Sequence, residues 1–205
     1  VAWITYELRK EVLGDFLVSV FLLSLALGFS EITEKEERGE SYKLDLFFPI
    51  TNYFFTAFGL TTGLYLLLLL AVIIIILVIG FLLNAHSLFQ ILIAFLLGLF
   101  VVSFILWYSY AFPIVIANAY GIDSFFKGFK ATFSVFSERN FKFSFTRKYF
   151  RWGIFWSLAF NIFNPLLLAA AETGIGIPIT LLGTFWLACF LGVLAYFVRR
   201  EVKEW

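Results

Sequence analysis

Residues 46–122 contain no Lys, Arg, Asp or Glu, although the chain carries 15 basic and 14 acidic residues elsewhere. A water-soluble domain does not leave 77 consecutive residues uncharged, because its helices alternate a wet face with a dry one. A bundle bathed in lipid does. Other absences narrow the class further. One cysteine, Cys189, excludes an intramolecular disulfide and a cysteine-rich metal site. One histidine, His86, has no second histidine and no nearby carboxylate, so it makes no typical zinc site. No H-E-x-x-H, glycine-rich phosphate loop or G-x-S-x-G occurs. The sequence therefore offers no catalytic, cofactor-binding or metal-binding residue set, and the chain reads as non-enzymatic. No nucleic-acid partner is expected, though the net charge of +1 by itself says nothing about partners.

What is present is apolar. Hydrophobic residues make up 62% of the chain and mean hydropathy is +0.96. The usual apolar share of a soluble domain is about 45–50%. The reading is one all-α integral membrane domain over 1–205, a polytopic transmembrane bundle. Arg9 and Lys10 precede an apolar run at 16–29 in the manner of a signal segment, which is read as a retained first span. Residues 31–45 form a charged loop with six acids and three bases. At about 1.5 Å per residue the uncharged block would make roughly 115 Å of helix against a core of about 30 Å, which favours three spans. Breaks are expected at 59–63 (GLTTG) and 84–87 (NAHS). Residues 152–198, whose only charge is Glu172, divide into two spans at a Gly/Pro turn.

Six spans follow, near 12–32, 46–62, 64–83, 90–118, 152–171 and 178–198, with five as the alternative. Lys and Arg set the orientation. Six spans place 12 bases inside and 3 outside; five spans, with the N-terminus outside, place 13 inside and 2 outside. Both make the basic connector 123–151 and the C-terminus cytoplasmic and the location the cell membrane. They differ over the loop 31–45, outside with six spans and inside with five.

The connector carries Lys127, Lys130, Arg139, Lys142, Arg147, Lys148 and Arg151. Phe125, Phe126, Phe129, Phe133 and Phe136 recur at helical spacing, which predicts an amphipathic helix near 123–137 in the headgroup layer. Its functional reading is contact with anionic membrane lipids or with other membrane subunits; its structural reading is positive-inside topology with aromatic anchors. Asn118, Asn161 and Asn164 are the intramembrane polar residues, either lining a solute path or bonding neighbouring helices. Pro113 and Pro165 free backbone carbonyls that a solute would use. Glu172 and His86 are acid–base candidates placed in turns. Gly59 and Gly63 form a G-x-x-x-G pattern, either a helix-packing face or a turn.

The run YAFPIVIANAYGIDSFFKGFKATF, residues 110–133, resembles a pattern in prokaryotic integral membrane proteins. These are similar to the membrane domain attached to some glycerophosphodiester phosphodiesterases. The resemblance covers residues 105–155. It implies about six helices and no catalytic residue in the membrane part. A scaffold or accessory, permease-like subunit of a membrane complex is the favoured function, and a transporter for a small or lipid-like solute the alternative.

Overall fold

The computed structural model describes the backbone of residues 2–40, 47–84, 87–121, 123–171 and 176–205. Side chains are described for 12–40, 50–84, 87–121, 123–162, 166 and 178–205. The described residues are helical, with no strand. In chain order the helices are α1 (Ala2–Glu37), α2 (Phe47–Leu83), α3 (Leu88–Ala119), α4 (Phe125–Phe133), α5 (Glu138–Ser144), α6 (Arg147–Ala171) and α7 (Gly176–Glu204). A 3₁₀ turn, Ser134–Phe136, joins α4 to α5. Among the described residues four stretches are long and apolar enough to cross a bilayer: Val12–Glu37, Ile50–Leu83, Leu88–Ala119 and Pro178–Glu204. The chain is a multi-pass membrane protein on this evidence.

The expected break at 59–63 is absent. Residues 46–62 and 64–83 do not form two spans; α2 runs through both, 37 residues or about 55 Å. The glycines and threonines there serve packing instead of a turn. A methyl group on Gly59 would lie 2.0 Å from the Phe125 carbonyl oxygen, and one on Gly63 would lie 2.4 Å from the Thr132 hydroxyl. One on Gly128 would lie 1.8 Å from the Thr56 carbonyl oxygen. Three glycines thus let α4 approach the backbone of α2. The Thr61 and Thr62 hydroxyls donate to the Ala57 and Phe58 carbonyls, each at 2.8 Å, so neither opens the helix. The amphipathic segment expected over 123–137 is two elements, α4 and the 3₁₀ turn. Its Gly128, Ala131 and Thr132 face is buried, while Phe126 is 71% exposed.

The expected break near 84–87 is present in that α2 ends at Leu83 and α3 begins at Leu88. The Gln90 amide donates to the Ser87 hydroxyl at 3.3 Å and the Ser87 amide to the Gln90 side-chain oxygen at 3.2 Å. This reciprocal cap starts α3. The core lies in one half of the molecule. Ala26 and Leu27 of α1, Ala57 and Leu60 of α2, Ile114 and Val115 of α3, Tyr149 of α6 and Val198 of α7 share one buried cluster. A methyl on Gly192 would lie 2.2 Å from the Ala26 carbonyl oxygen, so α1 and α7 also meet backbone to backbone. Beyond residue 65 of α2 and before residue 107 of α3, most side chains are apolar and exposed, Leu77 at 67% and Phe100 at 68%. That is the pattern of a lipid-facing hairpin.

Candidate functional site

Three charged regions, the end of α1, the connector 123–151 and the end of α7, meet at the buried end of the bundle. Glu34, near the end of α1, pairs with Arg199, near the end of α7, and both side chains are largely buried. The Arg199 guanidinium carbon lies 3.6 Å from the centre of the Tyr120 ring. Tyr120 stacks on Tyr53 with ring centres 6.1 Å apart, and the Tyr53 hydroxyl donates to Glu31 at 2.7 Å. Burial and the hydrogen bond to the Glu34 carboxylate push the Tyr120 phenol up to about 12. Around this knot lie Lys35–Glu31 at 2.7 Å, Arg38–Glu34 and Arg200–Glu37 at 2.5 Å. The connector joins through Lys148–Glu201 at 3.4 Å and through Arg139, which donates to the Val202 carbonyl at 2.6 Å.

The corner between α3 and α4 builds the site itself. Gly121 has φ +119°, and a methyl there would lie 2.4 Å from the Lys127 ammonium. Glycine therefore permits the turn and leaves room for the lysine. Asp123 accepts from the Thr56 amide at 2.7 Å and the Phe55 amide at 3.3 Å. The Ser124 amide donates to the Thr56 hydroxyl at 2.9 Å. These bonds fix where α4 begins. They direct Lys127 and Lys130 to an open pocket of about 380 Å³, shared with Asn118, Phe126, Ala131 and Ser134. Burial, with the Arg199 charge behind it, holds the Lys127 ammonium below the ordinary lysine range. Two ammonium groups beside an open pocket suit an anionic oxygen group, while the Ser134 hydroxyl is spent on the Ala131 carbonyl at 2.6 Å.

Three of the sequence candidates, Asn118, Lys127 and Lys130, therefore share one pocket. The others do not join it. Arg139 and Lys148 tie the connector to α7, Lys142 pairs with Glu138 at 2.6 Å within α5, and Arg147 and Arg151 are exposed. The two described asparagine side chains, Asn118 and Asn161, each bond within their own helix. The Asn118 amide donates to the Ile114 carbonyl and the exposed Asn161 amide to the Ser157 carbonyl, each at 2.7 Å. The Asn164 and Pro165 side chains, and all of Glu172 and His86, lie outside the described residues. The carbonyl that Pro113 frees, that of Ser109, is taken by the Trp156 indole at 3.1 Å. Next to it the Tyr149 hydroxyl donates to the Tyr110 carbonyl at 2.6 Å. Sequence reasoning missed Glu34, Tyr53, Tyr120, Asp123 and Arg199. Their one sequence signal is position: tyrosines and first charges at the ends of apolar runs.

No family model, no curated protein and no solved structure matches this chain.

Proposed function

We propose that the chain is a five-span protein of the cell membrane that acts without catalysis, as a scaffold or accessory subunit. Its basic cap meets anionic headgroups at the cytoplasmic face. The observation that supports this most is the Glu34–Arg199 pair. It joins the C-terminal end of α1 to the C-terminal end of α7, which six spans would put on opposite sides of the bilayer. With α1, α2, α3, α6 and α7 as spans, residues 31–45, 123–151 and 199–204 share one side, which carries 13 of the 15 bases. The N-terminal end of α1 and the connections after α2 and α6 lie outside. Residues 63–83 of α2 then match the hydrocarbon core, about 31 Å of helix. The inner thirds of α2 and α3, with α4 and α5, form a membrane-proximal cap. Trp107, Tyr108 and Tyr110 lie at its upper edge, where an aromatic belt belongs. The resemblance of residues 105–155 to the membrane domain of glycerophosphodiester phosphodiesterases belongs to the same reading.

Two measurements test it. In a Cys189→Ala background, an impermeant thiol reagent added outside intact cells labels Asn84→Cys but not Glu40→Cys or Glu138→Cys. Labelling of Glu40→Cys from outside overturns the five-span arrangement. In proteoliposomes, spin-labelled phosphatidylglycerol associates in preference to phosphatidylcholine. Each lysine near an anionic surface contributes about 1 kcal/mol. Because Lys127 and Lys130 share the pocket, Lys127→Gln with Lys130→Gln removes more of the preference than Arg147→Gln with Arg151→Gln, whose side chains lie outside it. Equal association of both lipids with the unaltered protein refutes the headgroup contact. A second reading, a protein that moves a lipid-like solute, is favoured over a polar-solute carrier because the described asparagine amides bond within their own helices.

A further inference from the structure

Above the α2–α4 seam the five long helices do not close on one another. They leave a cavity of about 520 Å³ whose walls are almost wholly apolar, with Leu23 of α1, Leu68 and Ala71 of α2, Phe104 of α3, Trp156 of α6 and Leu187 of α7 among them. That volume falls within the roughly 300–1,000 Å³ of dedicated small-molecule sites. Three of the polar side chains at the wall, which also includes Ser19 and Tyr65, are committed inside the protein. The Tyr108 hydroxyl donates to the Thr132 carbonyl at 3.0 Å and the Thr184 hydroxyl to the Thr180 carbonyl at 2.9 Å. The Trp156 indole donates to the Ser109 carbonyl at 3.1 Å. Water would find few partners there, and an apolar space of this kind stays dry. An empty space forfeits the dispersion contacts of its lining. The α2 wall, residues 64–71, lies just inside the stretch 63–83 read above as crossing the hydrocarbon core. The apolar material at that depth is the inner leaflet.

We propose that this cavity binds one acyl chain of a membrane phospholipid, entering sideways between the helices from the inner leaflet. The proposal rests on the embedding argued under Proposed function, and a separate readout keeps the two apart.

The test is lipid retention by the full chain purified in mild detergent from cell membranes, read by native mass spectrometry and lipid extraction. The unaltered protein is expected to hold one phospholipid per chain. Ala71→Phe, which fills the cavity, is expected to lose at least tenfold of that occupancy, and Leu77→Phe, on the exposed face of α2, to keep it. Should Ala71→Phe fail to fold, Ala188→Leu narrows the cavity from α7 and is read in the same way. In proteoliposomes a phospholipid with a photoreactive group near its tail end is expected to label the Phe104 and Trp156 peptides, and Ala71→Phe is expected to abolish that labelling. A protein that carries no phospholipid, or an Ala71→Phe variant that carries as much as the unaltered chain, overturns the proposal. Thiol labelling of Glu40→Cys from outside marks failure of the embedding instead.

Discussion

Removing the Arg199 guanidinium probes the contact on which the topology turns. Arg199 and Glu34 have side chains only 12% and 15% exposed. Removing one partner of a buried pair costs about 3–5 kcal/mol when the other charge is left alone. Glu34 is not left alone, because Arg38 and Tyr120 still reach it, so the low end of that range applies to the pair. The cation also sits on the Tyr120 face, worth about 0.5–2 kcal/mol. Together these predict a loss of about 4 kcal/mol for Arg199→Met, which keeps the apolar stem. For a chain of this length that lowers the unfolding midpoint by about 8–16 °C. Arg200 is the internal control. It pairs with Glu37 and Glu204, but its side chain is 55% exposed. Arg200→Met should cost about 0–1 kcal/mol.

The assay is thermal unfolding in one detergent, followed by circular dichroism, on Arg199→Met, Glu34→Gln and the double variant. Residues in direct contact couple by about 0.5–3 kcal/mol, whereas separated sites add within about 0.3–0.5 kcal/mol. In a six-span protein the two side chains would lie across the membrane and could not couple. The reasoning fails if Arg199→Met and Arg200→Met shift the midpoint equally and the double variant is additive.

The α2–α4 seam gives a second test. Gly128→Ala forces a methyl against the Thr56 carbonyl and should destabilise by about 1–3 kcal/mol, while Gly98→Ala, with nothing within 4 Å, should be neutral or stabilising; thermal unfolding separates them. Asp123→Ala leaves the Phe55 and Thr56 amides without their acceptor; a loss of about 1–3 kcal/mol and faster proteolysis of the connector are expected. Lys127 provides a pH test. Its folded pKa is lowered, so the fold opposes the charged form, and protein without bound anion gains stability as pH rises through that pKa. Lys127→Met should then be neutral or stabilising at pH 7, and anionic-lipid preference should fade at a pH below the ordinary lysine range. Asn161→Leu should change stability by less than about 0.5 kcal/mol, because its amide is exposed and bonded within its own helix; thermal unfolding checks this.

The membrane class and the α2–α3 hairpin were legible because each rests on a local property. A charge gap of 77 residues needs no partner to interpret, and Ser87 with Gln90 is a cap written within four residues. The continuity of α2 was not legible. G-L-T-T-G reads as a turn until Gly128, far along the chain, supplies the helix that the glycines accommodate. Five and six spans stayed degenerate because tallies of Lys and Arg differ by one base between them. The pairing of Glu34 with Arg199 is a fact about distance in space, which no local pattern carries. Within the candidate site, the connector's charge pointed to Lys127 and Lys130 but equally to five other bases. Gly121 and Asp123, which aim α4, made the selection.

The division of the molecule into a knitted half and a splayed half follows from what lipid does to helix association. In hydrocarbon no hydrophobic force draws apolar helices together, so close packing and polar bonds must hold them. The half that holds the buried core has both: glycine seams at Gly59, Gly128 and Gly192, carbonyls capped by Tyr149 and Trp156, and the Glu34–Arg199–Tyr120 knot. The C-terminal half of α2 and the opposing N-terminal part of α3 have neither. Gly80 and Gly98 there meet no neighbour within 4 Å, and leucine beside leucine is no better than leucine beside lipid. The same sequence economy that makes 64–83 so apolar therefore removes any reason for those turns to close on α1, α6 and α7. The cavity is the consequence, and its occupant must come from the solvent that surrounds it.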